Sequence, residues 1–207
     1  MRTNIFKKSN IPNYLTLFRI TLVPAIIALL LINSTFVVYT VKLWNNYSIK
    51  INLLTLLAAI LFIVASFSDF LDGWLARKYQ WISNFGKFWD PLADKILTNS
   101  VLFCMASTNQ NLLPIWIPII FTIRDIIIDG IRLYSVNQNI VLSANIYGKI
   151  KTFVLMVAMI YLLFMGNAIV NVGPLYYWLV QNFMIYIALF FCILSGVIYS
   201  LPLIKKR

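Results

Sequence analysis

Apolar runs of about 20 residues recur along this chain from one end to the other, each long enough to cross the roughly 30 Å hydrocarbon core of a bilayer. Hydrophobic residues make up 61% of the chain and the mean hydropathy is +0.86, well above the composition of a water-soluble domain. Backbone inside a bilayer must satisfy its own hydrogen bonds, so runs of this length predict helices. Six spans are expected, at about 12–33, 52–78, 85–107, 111–136, 146–166 and 175–201. The expected fold class is therefore all-α, a polytopic six-helix transmembrane bundle. No linker, repeat or low-complexity tail divides the chain, so residues 1–207 read as one membrane domain. The first run follows Arg2, Lys7 and Lys8 as a signal peptide would. It carries Pro12 and Arg19 inside and lacks a small-residue cleavage site, so it is expected to remain as a span.

A formal charge of +11 invites a nucleic-acid reading, but the basic residues are distributed as a membrane protein distributes them. With six spans, one side collects Arg2, Lys7, Lys8, Arg77, Lys78, Lys87, Lys149, Lys151, Lys205, Lys206 and Arg207, while the opposite loops hold only Lys42 and Lys50. The positive-inside rule then puts both termini in the cytoplasm and makes nucleic acid an unneeded partner. A basic cytoplasmic face also attracts anionic lipid headgroups. Cys104 and Cys192 lie in apolar surroundings without a CxxC partner, which predicts inert buried thiols. The chain has no His, and this removes Ser-His-Asp hydrolysis and imidazole-ligated zinc together. Trp44, Trp74, Trp81, Trp116 and Trp178 read as an interfacial belt.

Against this background the acids stand out. All six are Asp, and four of them fall in residues 69–94 as Asp69, Asp72, Asp90 and Asp94. Asp69 and Asp72 are three apart at the end of the second span, and Asp90 and Asp94 are four apart at the start of the third. Each pair therefore shares a helix face. The short connection near 79–85 predicts that the two spans are antiparallel neighbours, bringing all four carboxylates to one cytoplasmic end. Clustered anions in low dielectric require cations. Oxygen ligands without imidazole or thiolate suit two divalent cations, Mg²⁺ or Mn²⁺, and such pairs serve displacement at phosphorus. Gly73, Gly86 and Ala76 leave room for a bulky ligand beside the cluster. Simple pairing of the acids with Arg77, Lys87 and Lys95 explains neither their excess nor the glycines. A proton relay, channel or transporter would spread polar groups through the bilayer or show a pseudo-repeat, and neither is present.

The string Asp69-x2-Asp72-Gly73-x2-Ala76-Arg77-x8-Gly86-x3-Asp90-x3-Asp94 resembles the full signature of the CDP-alcohol phosphatidyltransferases. That resemblance implies Asp69, Asp72 and Asp90 as ligands of two divalent cations, with Asp94 sharing one ion and acting as base for the acceptor hydroxyl. It places Gly73, Ala76, Arg77 and Gly86 along the nucleotide and implies a homodimer. Residues 10–19, Asp90-Pro91-Leu92-Ala93-Asp94-Lys95, Ile123–Ile127, Gly130–Arg132 and Gly148–Thr152 resemble the bacterial members whose acceptor is glycerol 3-phosphate. The donor implied is CDP-diacylglycerol. Members often carry Glu where this chain has Asp125. The residues agree with a phosphorylated acceptor: Arg124, Arg132, Lys149 and Lys151 can gather near the cytoplasmic surface, and arginine forks bind phosphate bidentately. They disfavour serine and phosphatidylglycerol as acceptors and leave inositol phosphate open. Asp125 and Asp129 are expected to pair with Arg124, Arg132 or Lys149. The fourth and fifth spans are expected to be antiparallel neighbours.

Overall fold

A computed structural model describes residues 11–32, 37–43, 47–81, 83–107, 113–137, 146–165, 168–169 and 174–204. The termini that carry Arg2, Lys7, Lys8, Lys205, Lys206 and Arg207 lie outside the described residues, as do Trp44 and the side chains of Lys42, Lys50, Arg77, Lys87 and Trp178.

The described residues contain six helices: α1 (Ile11–Leu31), α2 (Leu53–Tyr79), α3 (Asn84–Ser107), α4 (Trp116–Asn137), α5 (Ile146–Met165) and α6 (Pro174–Ile204). Their local causes are readable. Pro12 and Pro174 sit in first turns, where a missing N–H costs nothing. Asn52 caps α2, its side chain accepting from the Leu54 amide at 2.9 Å. Ser83 caps α3 in the same way through the Gly86 amide, also at 2.9 Å. Helix α2 ends on Gln80 in the left-handed region, with φ 54°.

One addition to the all-helical expectation lies between α1 and α2. There β1 (Val37–Leu43) and β2 (Tyr47–Asn52) pair antiparallel, and the two-residue β3 (Ala168–Ile169) joins β2's other edge. The apolar runs read correctly as helices, but the hairpin sits in a connection whose period-2 segments the hydropathy reading passed over.

Among the described residues, four helices are long and apolar enough to cross a membrane: α1, α2 over Leu53–Ala76, α5 over Ile146–Phe164 and α6 over Asn182–Ser200. Helices α3 and α4 carry Lys87, Asp90, Asp94 and Lys95, and Arg124, Asp125, Asp129 and Arg132, which dilute their apolar content. The exterior is apolar, with Phe70, Ile126, Leu133, Phe153 and Phe190 all more than 60% exposed. Large hydrophobics outside and charges inside suit a lipid solvent, and the chain is a membrane protein.

Two packing expectations are corrected. Helices α2 and α3 do not lie against one another along their lengths; α1 packs against both and separates them. Their short connection fixes proximity at one end only. Nor are α4 and α5 a packed pair: each leans on α6, and α5 also meets α2. The core beneath is built from Val23 and Ile26 of α1, Phe62 of α2, Leu97 and Met105 of α3, Phe121 of α4, Met159 of α5 and Cys192 of α6. Ala58, Ala59, Ala158 and Ala188, each fully buried, allow the close helix approach that membrane bundles require. Cys104 and Cys192 are buried free thiols, as expected.

Candidate active site

The wedge position of α1 decides how the aspartates are held. Arg19 is fully buried, and its guanidinium forks to Asp69 Oδ1 and Asp72 Oδ2, each at 2.5 Å. One turn earlier, the Thr16 hydroxyl lies 2.6 Å from Asp90 Oδ1 and 3.0 Å from the Pro12 carbonyl, sharing its single proton between them. Helix α1 thus touches three of the four aspartates, through side chains to which the sequence reading gave no role. The available signal was an arginine inside an apolar span, which is functional by default. Asp72 is buried and Asp69 half-buried. Asp94 keeps a buried Oδ1 that has no hydrogen-bond partner among the described residues.

Gly86 departs from expectation. A Cβ there would stand 3.2 Å from Ser83 Oγ, 3.3 Å from Asp90 Oδ2 and 3.4 Å from Asn13 Oδ1. The protein's own polar groups fill that space, Ser83 donating to Asn13 at 2.6 Å. The glycine lets α1 approach the start of α3 rather than leaving a vacancy for ligand. Gly73 and Ala76 lie on the last turns of α2, and the Arg77 backbone continues that helix.

A cleft of about 830 Å³ opens where α4 and α5 fail to pack. Asp69, Asp94, Lys95, Arg124, Asp125, Asp129, Arg132, Lys149 and Lys151 all line it, so two of the four clustered aspartates, Asp69 and Asp94, share one space with Arg124, Arg132, Lys149 and Lys151. The cations are not equivalent. Lys151 is buried and donates to both carboxylate oxygens of Asp125, at 2.9 and 3.0 Å. Arg124 donates to Asp125 Oδ1 at 2.9 Å and to Ser195 Oγ at 2.6 Å. Arg132 reaches the Tyr199 hydroxyl at 3.3 Å, its guanidinium 5.4 Å from that ring's centre. Lys149 is exposed at the rim.

Asp125 therefore pairs with Arg124, as expected, and additionally with Lys151. Asp129 pairs with Lys95 of α3, across the cleft, not with Arg124, Arg132 or Lys149. Helix α6, read from the sequence as an apolar span alone, supplies Ser195 and Tyr199. These are four residues apart on one face, and a hydroxyl pair on so apolar a helix was the overlooked signal.

The Lys151–Asp125 bridge ties α4 to α5. Removing one partner of a buried pair strands the other's charge, which typically costs about 3–5 kcal/mol. Lys151→Met is expected to lose about 3 kcal/mol, the lower end, because Arg124 still faces Asp125. Denaturant unfolding in detergent measures this. An unchanged transition would mean that the bridge carries no stability.

Hard oxygen donors without thiolate or imidazole, together with the unpartnered Asp94 oxygen, fit divalent cations chemically. As placed, no three such side chains among the described residues stand close enough to hold one ion. Asp69 and Asp72 are turned onto Arg19, and Asp90 onto Thr16.

Sequence comparison defines the class to which this arrangement belongs. A sequence model of the CDP-alcohol phosphatidyltransferase family matches residues 9–194, and the chain belongs to that family. Within it, the chain is similar to proteins named CDP-diacylglycerol–glycerol-3-phosphate 3-phosphatidyltransferase. That of Mycoplasma genitalium is 35% identical over 206 residues, covering 96% of this chain and 86% of the relative. The Bacillus subtilis protein is 34% identical over 190 residues, covering 90% and 91%. The Escherichia coli protein is 31% identical over 163 residues, covering 76% and 79%.

Proposed function

We propose that this chain transfers the phosphatidyl group of CDP-diacylglycerol to glycerol 3-phosphate, giving phosphatidylglycerophosphate and CMP. The observation that best supports the reading is the meeting of Asp69 and Asp94 with Arg124, Arg132 and Lys149 in one cleft. A phosphorylated acceptor needs cations beside the reacting centre, and the relatives that carry this enzyme name cover most of the chain.

Asp69, Asp72 and Asp90 would hold two divalent cations, Mg²⁺ or Mn²⁺, with Asp94 sharing one. When bound, such ions neutralise a pyrophosphate and stabilise the departing CMP. Asp94 takes the proton from the attacking hydroxyl. Gly73, Ala76 and Arg77 lie along the nucleotide. Arg124, Arg132 and Lys149 grip the acceptor phosphate, while Lys151, committed to Asp125, holds the wall that carries Arg124. All six helices span a bacterial cytoplasmic membrane, with both termini and the cleft facing the cytoplasm. Lipid tails reach the site from the bilayer, and the polar substrates reach it from water. The active form is a homodimer.

The direct test is purified protein with CDP-diacylglycerol and a panel of labelled acceptors: glycerol 3-phosphate, inositol phosphate, phosphatidylglycerol and serine. Glycerol 3-phosphate should be the preferred acceptor. Preference for inositol phosphate would keep the chemistry and change the product.

Arg124→Ala and Arg132→Ala should each raise the KM for glycerol 3-phosphate about ten- to a hundred-fold. Each removes charge-assisted hydrogen bonds worth roughly 1.5–3 kcal/mol. Unchanged KM in both variants would place the acceptor phosphate elsewhere.

A further inference from the structure

Arg19 is the one fully buried cation among the described residues, and it divides its fork between two carboxylates proposed above as metal ligands. A guanidinium cannot shed its proton inside a protein, so it cannot enter the apolar interior as a neutral group. Its charge is tolerable there only while paired. Asp69 Oδ1 and Asp72 Oδ2, each 2.5 Å away, supply that pairing. The same contacts turn those oxygens toward α1, and no three candidate ligands converge while they are made. Arg19 Nε has no hydrogen-bond partner among the described residues, so the fork is anchored only by the two aspartates.

We propose that Arg19 competes with the divalent cations for Asp69 and Asp72, so that loading the site is an exchange of one buried cation for others. This rests on the metal reading above and goes beyond it. Without metal the guanidinium already offsets part of the carboxylate charge, so the bundle stays folded between metal loads. The guanidinium sets how much free cation is needed to fill the site. Arg19 is in this sense a positioning residue: it acts on the carboxylates and touches no substrate.

The experiment uses the full chain in detergent and Mn²⁺ as probe, with bound ion measured by electron paramagnetic resonance and unfolding followed with and without chelator. Wild type should bind Mn²⁺ and gain little thermal stability from it. Arg19→Gln removes the competing charge, so Mn²⁺ should bind about tenfold more tightly or better, an ordinary size for coupling between two ligands. Its unfolding temperature should fall in chelator and rise much further on adding Mn²⁺ than wild type's does. Arg19→Lys keeps the charge and should bind Mn²⁺ close to wild type. A merely structural arginine would give the opposite sign, because its loss would loosen the ligands and weaken binding. Arg19→Gln binding Mn²⁺ no more tightly than wild type overturns the proposal. So does an Arg19→Gln protein that stays unfolded in saturating Mn²⁺, since the ion should then replace the missing charge. Wild type that binds no Mn²⁺ at all would instead remove the metal reading on which the proposal stands.

Discussion

Asp94→Asn is expected to slow the chemical step by about 10²–10⁴-fold while leaving metal-dependent binding of CDP-diacylglycerol in place. The range is what a positioned general base ordinarily contributes. Asparagine keeps the size and one carbonyl oxygen but cannot take the proton of the attacking hydroxyl. The structure separates Asp94 from its neighbours in a way that supports this. Asp69 and Asp72 are engaged by Arg19 and Asp90 by Thr16, whereas Asp94 lines the cleft that the basic residues share and keeps a buried Oδ1 with no partner among the described residues. Single-turnover rates and nucleotide binding, measured on Asp94→Asn and Asp69→Asn together, test the division of labour. Asp69→Asn should lose cation and nucleotide binding at once. If Asp94→Asn abolishes binding as fully, Asp94 is first a ligand and the base must be another group.

Turnover should vanish in EDTA and return on adding Mg²⁺ or Mn²⁺, the largest effect expected of any single manipulation. Four carboxylates and one guanidinium leave the cluster with excess negative charge, and a pyrophosphate would add more. The cleft's own cations do not offset both, since Lys95, Arg124 and Lys151 already face Asp129 and Asp125. The helical circular dichroism of the same sample should persist in chelator, because Arg19 and Thr16 still engage three of the aspartates. Full activity after exhaustive dialysis against chelator would sink the two-cation reading.

The helices were legible in the sequence because hydropathy and length decide them: the expected span 52–78 became Leu53–Tyr79, and 146–166 became Ile146–Met165. The aspartates were legible too, since acids are costly in apolar surroundings. Lateral packing was not. A short connection brings helix ends together, but it does not say whether a third helix lies between them, and α1 does so between α2 and α3. Arg19 and Thr16 were therefore seen as residues of a motif and not as contacts of Asp69, Asp72 and Asp90. The Lys95–Asp129 pair was missed for a related reason. Charges close in sequence, such as Asp129 and Arg132, suggest local pairs, while the cleft geometry offers a partner on another helix. The α6 hydroxyls fell below notice because an apolar span is usually read by its average rather than by its exceptions.

The placement of Arg19 also bears on how the chain is made. Its partners lie 50 and 53 residues further along, so α1 must leave the ribosome and meet the membrane carrying an unpaired guanidinium. An arginine near the middle of an inserting helix costs about 2.5–3.5 kcal/mol on insertion scales. Pro24, deeper in the same helix, removes one of its backbone hydrogen bonds. The span is apolar enough to insert in spite of that cost, but its guanidinium stays uncompensated until later helices are made. Compensation comes only with α2, whose Asp69 and Asp72 more than offset the single positive charge. The order of synthesis thus makes the second helix the one that relieves the charge of the first.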